Sequence, residues 1–167
     1  IRRPEKFGRL HGWAMGGPKP LPLFQQQRWA KHMGPDIEHI GRWMHANVDR
    51  FDLAVFMTYM YTTTTRTLPA AAGRIPTILQ PTAHDEPPIW VRLYDSLFRL
   101  PDAFIFFTPE ERDVVRHRFA IDPAGETIGI GIDLIEATSV SEFRAQHELG
   151  EDPYLLYVGR IDAIKGS

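Results

Sequence analysis

Strand-like apolar segments alternate with helix-like segments along most of this chain. Residues 51–58 (FDLAVFMT) form a continuous apolar run, and residues 75–80, 103–108 and 126–132 also have the character of strands. An apolar run without polar alternation is typical of a strand that is covered on both faces, as in a parallel sheet. Because helical patterns separate these strands, the sequence predicts an α/β fold with a Rossmann-like parallel sheet flanked by helices.

The helices are predicted from apolar periodicity and from capping residues. The clearest helix start is Thr108, an N-cap that is followed by a proline and by the acidic pair Glu110 and Glu111 near the positive end of the helix dipole. Asp36 is predicted to cap another helix. Residues 1–23 are rich in glycine and proline and are predicted to form a loop. The predicted helices are 23–33, 36–48, 59–72, 89–100, 109–119 and 141–149.

Composition excludes some classes of protein. The 167 residues include no cysteine, which excludes a disulfide framework and thiolate metal sites and fits a reducing compartment. No apolar run approaches a membrane span and no signal-peptide pattern occurs, so a cytoplasmic location is expected. Residues 1–50 carry nine Lys/Arg against four Asp/Glu, or +5, which suits peripheral contact with an anionic membrane or simply an asymmetric surface. Aromatic residues do not interleave with dense basic runs, so nucleic-acid binding is not expected.

His84 is the first candidate for a catalytic residue. Ligands of open parallel sheets bind at the carboxyl ends of strands, and His84 follows the predicted strand 75–80 with Asp85 beside it. The alternative is a loop histidine that orders the chain through hydrogen bonds. A metal site is not expected, because neither a second histidine at helical spacing nor any cysteine accompanies His84. The other candidates for a ligand cleft are Thr108, Glu110, Gly131, Asp133 and Gly159.

The last fourteen residues, YLLYVGRIDAIKGS, combine a strand pattern with two cations. Residues 154–158 are predicted to form a fifth strand that ends at Gly159. Arg160 and Lys165 then present a planar guanidinium and a compact ammonium, a pair that suits a diphosphate. The order Lys165-Gly166 excludes the usual P-loop, in which glycine precedes lysine. A turn with two solvated cations is the alternative.

The order of these features resembles that of the family 4 glycosyltransferases, which have the two-domain GT-B fold. Gly-Arg, four residues and Lys-Gly after an apolar strand resembles the start of the C-terminal domain in that family. The pair His84-Asp85 after a strand, the helix start at Thr108 and the segment Gly-Ile-Asp at 131–133 also follow the order of the family. Ile130 departs from it, because the family often has asparagine there.

The resemblance implies a domain organisation. Residues 1–149 would be part of an N-terminal, acceptor-side Rossmann-like domain, with a crossing between domains at about 133–151. Residues 152–167 would be the first strand and phosphate-binding loop of a C-terminal nucleotide-sugar domain. Both ends of the sequence look like cuts through a longer protein, so the chain is expected to be inactive alone.

The activity that the resemblance implies is a retaining transfer of a sugar from a nucleoside diphosphate sugar to an acceptor hydroxyl. The acceptor would be a glycan, a lipid or a small molecule. Arg160 and Lys165 would hold the donor diphosphate, and His84 would lie in the cleft near the sugar. Fixed cations suit the charge that develops on a leaving diphosphate, so neither a metal nor a cofactor is expected. The alternatives are a GT-B-fold epimerase or phosphorylase and a non-catalytic Rossmann-like interaction module.

Overall fold

The computed structural model describes residues 5–16, 21–35, 37–133 and 139–159, with side chains from Phe7 onward in the first of these ranges. The chain divides into two compact units, residues 1–130 and residues 131–167, and each is described by itself. Within the described ranges, every helix is too short or too polar to cross a lipid bilayer. The predicted domain boundary near residue 150 stays a prediction.

Unit 1 contains a sheet of four parallel strands in the order β1-β2-β3-β4. Phe56 lies opposite Leu79, which lies opposite Phe104, which lies opposite Gly125. Gly125 has φ +154°, and a Cβ there would lie 2.0 Å from the Phe104 carbonyl oxygen, so only glycine lets β4 approach β3. The predicted α/β class with a Rossmann-like parallel sheet is confirmed. The strands are β1 (Ala54–Met57), β2 (Thr77–Gln80), β3 (Ala103–Phe106) and β4 (Gly125–Thr127).

Helices precede, connect and follow the strands. Helix α6 begins as predicted, because the Thr108 side chain accepts a hydrogen bond from the Glu111 backbone N–H, and it ends at Phe119 as predicted. Two 3₁₀ turns, Val48–Arg50 and Pro87–Trp90, supplement the helices. The helices are α1 (Glu5–Ala14), α2 (Leu23–Ala30), α3 (Ile40–Asn47), α4 (Thr62–Ala71), α5 (Tyr94–Leu97), α6 (Pro109–Phe119) and α7 (Val140–Gln146).

The prediction of a loop over residues 1–23 is wrong for α1. Phe7, Leu10 and Ala14 lie at helical spacing; Phe7 is buried, and the other two pack against the core. Gly8 and Gly12 face outward, where a side chain would meet no atom within 4 Å. Tertiary burial of one face therefore offsets the roughly 1 kcal/mol that each glycine costs a helix relative to alanine.

Replacing Gly8 or Gly12 with alanine is expected to stabilise unit 1. Each change should raise the free energy of unfolding by about 0.5–1 kcal/mol, because alanine loses less backbone entropy on entering a helix. Chemical denaturation followed by tryptophan fluorescence measures the change. Gly73→Ala is the control: its site has equal space but φ +74°, so this variant should be destabilised. Destabilisation by Gly8→Ala would contradict the helical assignment of α1.

The predicted helix 89–100 does not form as one helix: only α5 (Tyr94–Leu97) forms within it, after the 3₁₀ turn Pro87–Trp90. Two long-range hydrogen bonds explain the interruption. In a continuous helix the Leu93 N–H would donate to the Ile89 carbonyl. Instead, the Leu93 N–H donates to Gln26 Oε1 at 2.9 Å, and the Ile89 carbonyl accepts from Arg118 Nε at 2.9 Å. Helix α2 and helix α6 thus take the two groups that a local helix would have paired.

Other predicted elements differ in their bounds or do not form. The strand predicted at 126–132 forms only as the short β4. The strand predicted at 154–158 does not form, because Leu155 and Val158 are exposed and no described segment pairs with these residues. The helix predicted from 36 begins at Ile40, because His39 has a left-handed backbone with φ 63°. Asp36, its predicted cap, lies outside the described residues. The remaining predicted helices and strands form but are two to four residues shorter.

The two faces of the sheet differ. Phe56, Leu79 and Phe104 lie on one face and are buried in a core that also contains side chains from α4, α5 and α6. On the other face, Val55 is 53% exposed and Met57 is 62% exposed. Strands in sequential order joined by right-handed crossovers place all their connections on one face. The expectation that β1 is covered on both faces is therefore wrong, because its second face is open. The opening is confined to the β1 side of the sheet, since Gln80 of β2, opposite Met57, is buried.

Candidate functional site

The carboxyl ends of the strands meet at one edge of the sheet, here called the carboxyl edge. Thr58 follows β1, residues 81–84 follow β2, and residues 107–111 follow β3. The backbone N–H of Thr58 donates to the Gln80 carbonyl at 2.8 Å, and that of Tyr59 donates to the Pro81 carbonyl at 3.0 Å. The ends of β1 and β2 therefore stay paired beyond the strands.

Two threonines at the carboxyl edge have left-handed backbones. Thr58 has φ 65° and Thr82 has φ 51°, and their hydroxyl groups are 3.1 Å apart, with Thr82 Oγ1 donating to Thr58 Oγ1. A β-branched residue rarely adopts this conformation, which costs about 1–2 kcal/mol. Backbone strain of this kind clusters at ligand and active sites. Its occurrence on adjacent strands marks the carboxyl edge of β1 and β2 as the candidate site.

Glu111 holds the ends of β2 and β3 together. Its side chain is buried (6% exposed), and its two carboxylate oxygens accept from the Ala83 N–H and the Phe107 N–H, both at 2.7 Å. Short bonds to a charged acceptor are among the strongest in proteins. The bridge positions the residue that follows Ala83, which is His84.

The loop after Ala83 exposes His84 to solvent. Its backbone carbonyl accepts from the Glu86 N–H at 2.8 Å, whereas its ring makes no hydrogen bond to any residue within the described ranges. Asp85 accepts from Trp90 Nε1 at 3.0 Å instead of pairing with the His84 ring. An exposed imidazole on a tethered loop is available to a ligand as a donor or as an acceptor.

Arg118 braces the segment that follows His84. Its guanidinium lies over the Trp90 ring at 5.2 Å from the centroid, and it donates to Asp95 Oδ1 at 2.8 Å. The side chain of Arg118 is only 12% exposed. A partly buried cation that is stacked on one side and paired on the other fixes Trp90, and through it Asp85.

Tyr59 places a neutral hydroxyl beneath the carboxyl edge. The residue is fully buried, packs edge-to-face on Tyr94 at 4.8 Å, and its hydroxyl has no hydrogen-bond partner among the described residues. Burial raises the pKa of the Tyr59 hydroxyl far above its ordinary value, and the negative charge of Glu86 raises it further while Arg118 opposes the shift. Tyr59 therefore stays protonated at neutral pH and can act as a donor but not as a base.

Thr108 and Glu110 lie at the start of α6, next to the Glu111 bridge. Thr108 is occupied as the helix cap, with its Oγ1 accepting from the Glu111 N–H at 3.1 Å. Glu110 is exposed, and the pKa of its carboxyl is lowered, first by a hydrogen bond from its own backbone N–H and then by the Thr108 hydroxyl. This end of α6 therefore carries negative charge.

The structure brings some of the predicted site residues together. The Ala83 N–H donates to the Glu111 carboxylate. Because Ala83 precedes His84 and Glu111 follows Glu110, the His84 loop and the start of α6 are neighbours. Gly131, Asp133 and Gly159 are exposed in unit 2. Arg160 and Lys165 lie outside the described residues. The described ranges contain no cluster of three His, Asp or Glu side chains arranged to hold a metal ion.

Sequence reasoning missed three residues of the carboxyl edge. Thr58 and Thr82 have no sequence signal, because nothing local marks a threonine for a left-handed backbone. Glu111 has one: threonine followed three residues later by glutamate is a capping box, which directs the glutamate carboxylate back toward the N-terminal backbone. Here that carboxylate reaches Phe107, one residue before the cap, and also a second strand end.

Comparisons of the chain with family models, with curated proteins and with solved structures found no match.

Proposed function

We propose that this chain is part of a retaining glycosyltransferase that transfers a sugar from a nucleoside diphosphate sugar to an acceptor hydroxyl. The resemblance to family 4 supplies the reaction class. The observation that carries the proposal is the ring of His84, which is exposed and has no hydrogen-bond partner among the described residues, on a loop that Glu111 tethers at the carboxyl edge. Open parallel sheets bind their ligands at this edge.

In this proposal the two groups of residues have different roles. His84 contacts the donor sugar or the acceptor. The Glu111 bridge and the hydrogen bond between Thr82 and Thr58 keep its loop in one conformation. Arg160 and Lys165 hold the diphosphate and stabilise the charge that develops on it as the glycosidic bond breaks. The reaction needs no proton-transfer role for Tyr59, which stays neutral.

The proposal is tested in the natural protein that contains this sequence. Donor affinity is measured by calorimetry with a panel of nucleoside diphosphate sugars, and transfer is measured as release of the nucleoside diphosphate. Arg160→Ala combined with Lys165→Ala should weaken donor binding about 10–100-fold, the worth of one or two charge-assisted bonds. His84→Ala should lower kcat/KM by about tenfold or more, which corresponds to about 1.4 kcal/mol of transition-state binding.

The control for charge is Arg116→Ala, an exposed cation on α6. The Arg116→Ala variant should have the same affinity for the donor nucleotide sugar as the wild-type protein. Unchanged donor affinity in the Arg160/Lys165 variant would remove the diphosphate role, and a wild-type rate for His84→Ala would remove His84 from the active site. Inversion of the anomeric configuration would exclude the retaining class.

A non-catalytic interaction module is the second candidate, and the exposed face of β1 favours it. Val55 and Met57 expose apolar surface there, which is typical of surfaces that meet another polypeptide. The donor panel discriminates between the candidates, because an interaction module should bind none of the nucleotide sugars.

A further inference from the structure

A cavity of about 630 Å³ lies between α1 and α2, in a part of unit 1 that contributes nothing to the carboxyl edge. This volume is within the range of small-molecule sites, roughly 300–1,000 Å³. Its walls combine apolar and aromatic side chains with two arginines. The lining residues that matter here are Arg9, Leu10, Trp13, Leu21, Phe24 and Arg28.

The wall formed by α2 is anchored to the core of unit 1. Gln26 donates to the Leu21 carbonyl and accepts from the Leu93 N–H at 2.9 Å. At the end of α2, the Ala30 carbonyl accepts from Thr62 Oγ1 at 3.0 Å. Trp29 is fully buried and donates to His11 of α1 at 3.3 Å, which joins the two helices. The cavity is therefore largely formed before any ligand arrives.

The aromatic side chains of the cavity are only partly covered. Trp13 is 48% exposed and Phe24 is 66% exposed, although both line a concave surface. A ligand that covers them would remove apolar area from water, which is worth about 25 cal/mol per Å². The apolar part of a ligand would lie against these two rings.

The two arginines give the cavity a positive charge. Among the described residues that line it, none is an aspartate or a glutamate. Across the described ranges, neither Arg9 nor Arg28 makes a hydrogen bond or an ion pair. Each guanidinium keeps a planar fork of donors that matches a carboxylate or a phosphate. An anion between them would relieve the repulsion between two like charges.

We propose that this cavity binds a small amphiphilic anion. An aromatic or branched apolar body would lie against Trp13 and Phe24, and one phosphate or carboxylate group would be held by Arg9 and Arg28. The cavity is an open cleft, and its volume is that of a small-molecule site. Binding to a membrane surface is the outcome that the vesicle experiment below tests. The proposal is independent of the glycosyltransferase proposal, because no residue of the carboxyl edge lines the cavity.

The test uses 1-naphthyl phosphate as the probe and the full chain as the protein. Calorimetry should show one site for 1-naphthyl phosphate. 1-Naphthol, which lacks the anion, should bind at least about tenfold more weakly, the loss expected for one charge-assisted contact. Inorganic phosphate, which lacks the apolar body, should also bind at least about tenfold more weakly, because it covers no apolar area of the two rings. The variant Arg9→Gln with Arg28→Gln should bind the probe at least about tenfold more weakly than the wild type, whereas Arg116→Gln, an exposed arginine on α6, should bind it normally.

A second measurement needs no arginine variant. In ¹H–¹⁵N spectra of the wild-type chain, the indole N–H of Trp13 should shift on addition of 1-naphthyl phosphate, whereas that of Trp43, which is exposed on α3, should not. Trp13→Phe identifies the signal. Equal shifts of both indoles, or equal affinities for 1-naphthyl phosphate and 1-naphthol, would overturn the proposal. Binding to anionic phospholipid vesicles without binding of the soluble probe would also overturn it.

Discussion

Replacing Glu111 with glutamine is expected to lower the free energy of unfolding by about 3 kcal/mol, since hydrogen bonds to a charged group are worth about 1.5–3 kcal/mol each. The two carboxylate oxygens accept from Ala83 and Phe107, both at 2.7 Å. A glutamine side chain has one acceptor oxygen, so one buried N–H would face an NH₂ group and lose its partner. Urea denaturation followed by tryptophan fluorescence measures the loss.

Glu110→Gln is the matched control, because it makes the same chemical change one residue earlier. Glu110 is exposed at the start of α6 and joins no other element. Its replacement should lower the free energy of unfolding much less than Glu111→Gln does, because the helix dipole contributes little at an exposed, solvent-screened position. Equal losses for the two variants would show that the bridge between β2 and β3 contributes nothing beyond surface charge.

The second large effect is expected at Phe56. Phe56→Ala should lower the free energy of unfolding by about 3–5 kcal/mol, because it removes a ring from the packed face of the sheet and leaves a cavity. The ring is 6% exposed in β1 and belongs to the same core cluster as Leu79 and Phe104. The same denaturation experiment measures the loss.

Met57→Ala is the control on the opposite face of the same strand. Met57 is 62% exposed, so its truncation should cost less than about 1 kcal/mol. A loss for Met57→Ala as large as that for Phe56→Ala would mean that the face described as open is covered in solution. The pair of variants therefore tests the sheet topology as well as the stability of β1.

Local sequence signals predicted those elements whose stabilising contacts are also local. Helix α6 is an example: Thr108, a proline and two glutamates stand next to one another in sequence, and the cap joins residues three positions apart. The apolar runs likewise indicated β1, β2 and β3, since burial of a strand needs the same residue types whatever its neighbours are. The capping residues and the apolar runs each occupy a stretch of no more than about ten consecutive residues.

Contacts between distant residues decided the rest. Gln26 and Arg118 take the Leu93 N–H and the Ile89 carbonyl, which ends a helix that the apolar pattern favours. Helix α1 forms in spite of its glycines because Phe7 finds a core to pack against. The sequence of residues 89–93 does not indicate that Gln26 and Arg118 will bond to them, and the sequence of α1 does not indicate the core on which Phe7 packs. These contacts depend on how whole elements pack against one another.

The candidate site divides in the same way. His84 was indicated from sequence alone, because the carboxyl end of a parallel strand is a ligand position in any such sheet. The bridge from Glu111 to Ala83 spans 28 residues, and the contact between Thr82 and Thr58 spans 24 residues. These contacts exist only once β1, β2 and β3 lie side by side. The sequence by itself determined the fold class and the position of His84. The tertiary structure decided what holds His84 in place, because strand order brings those groups within hydrogen-bonding distance. It also decided which face of β1 is open, because the core packs against the face that carries Phe56.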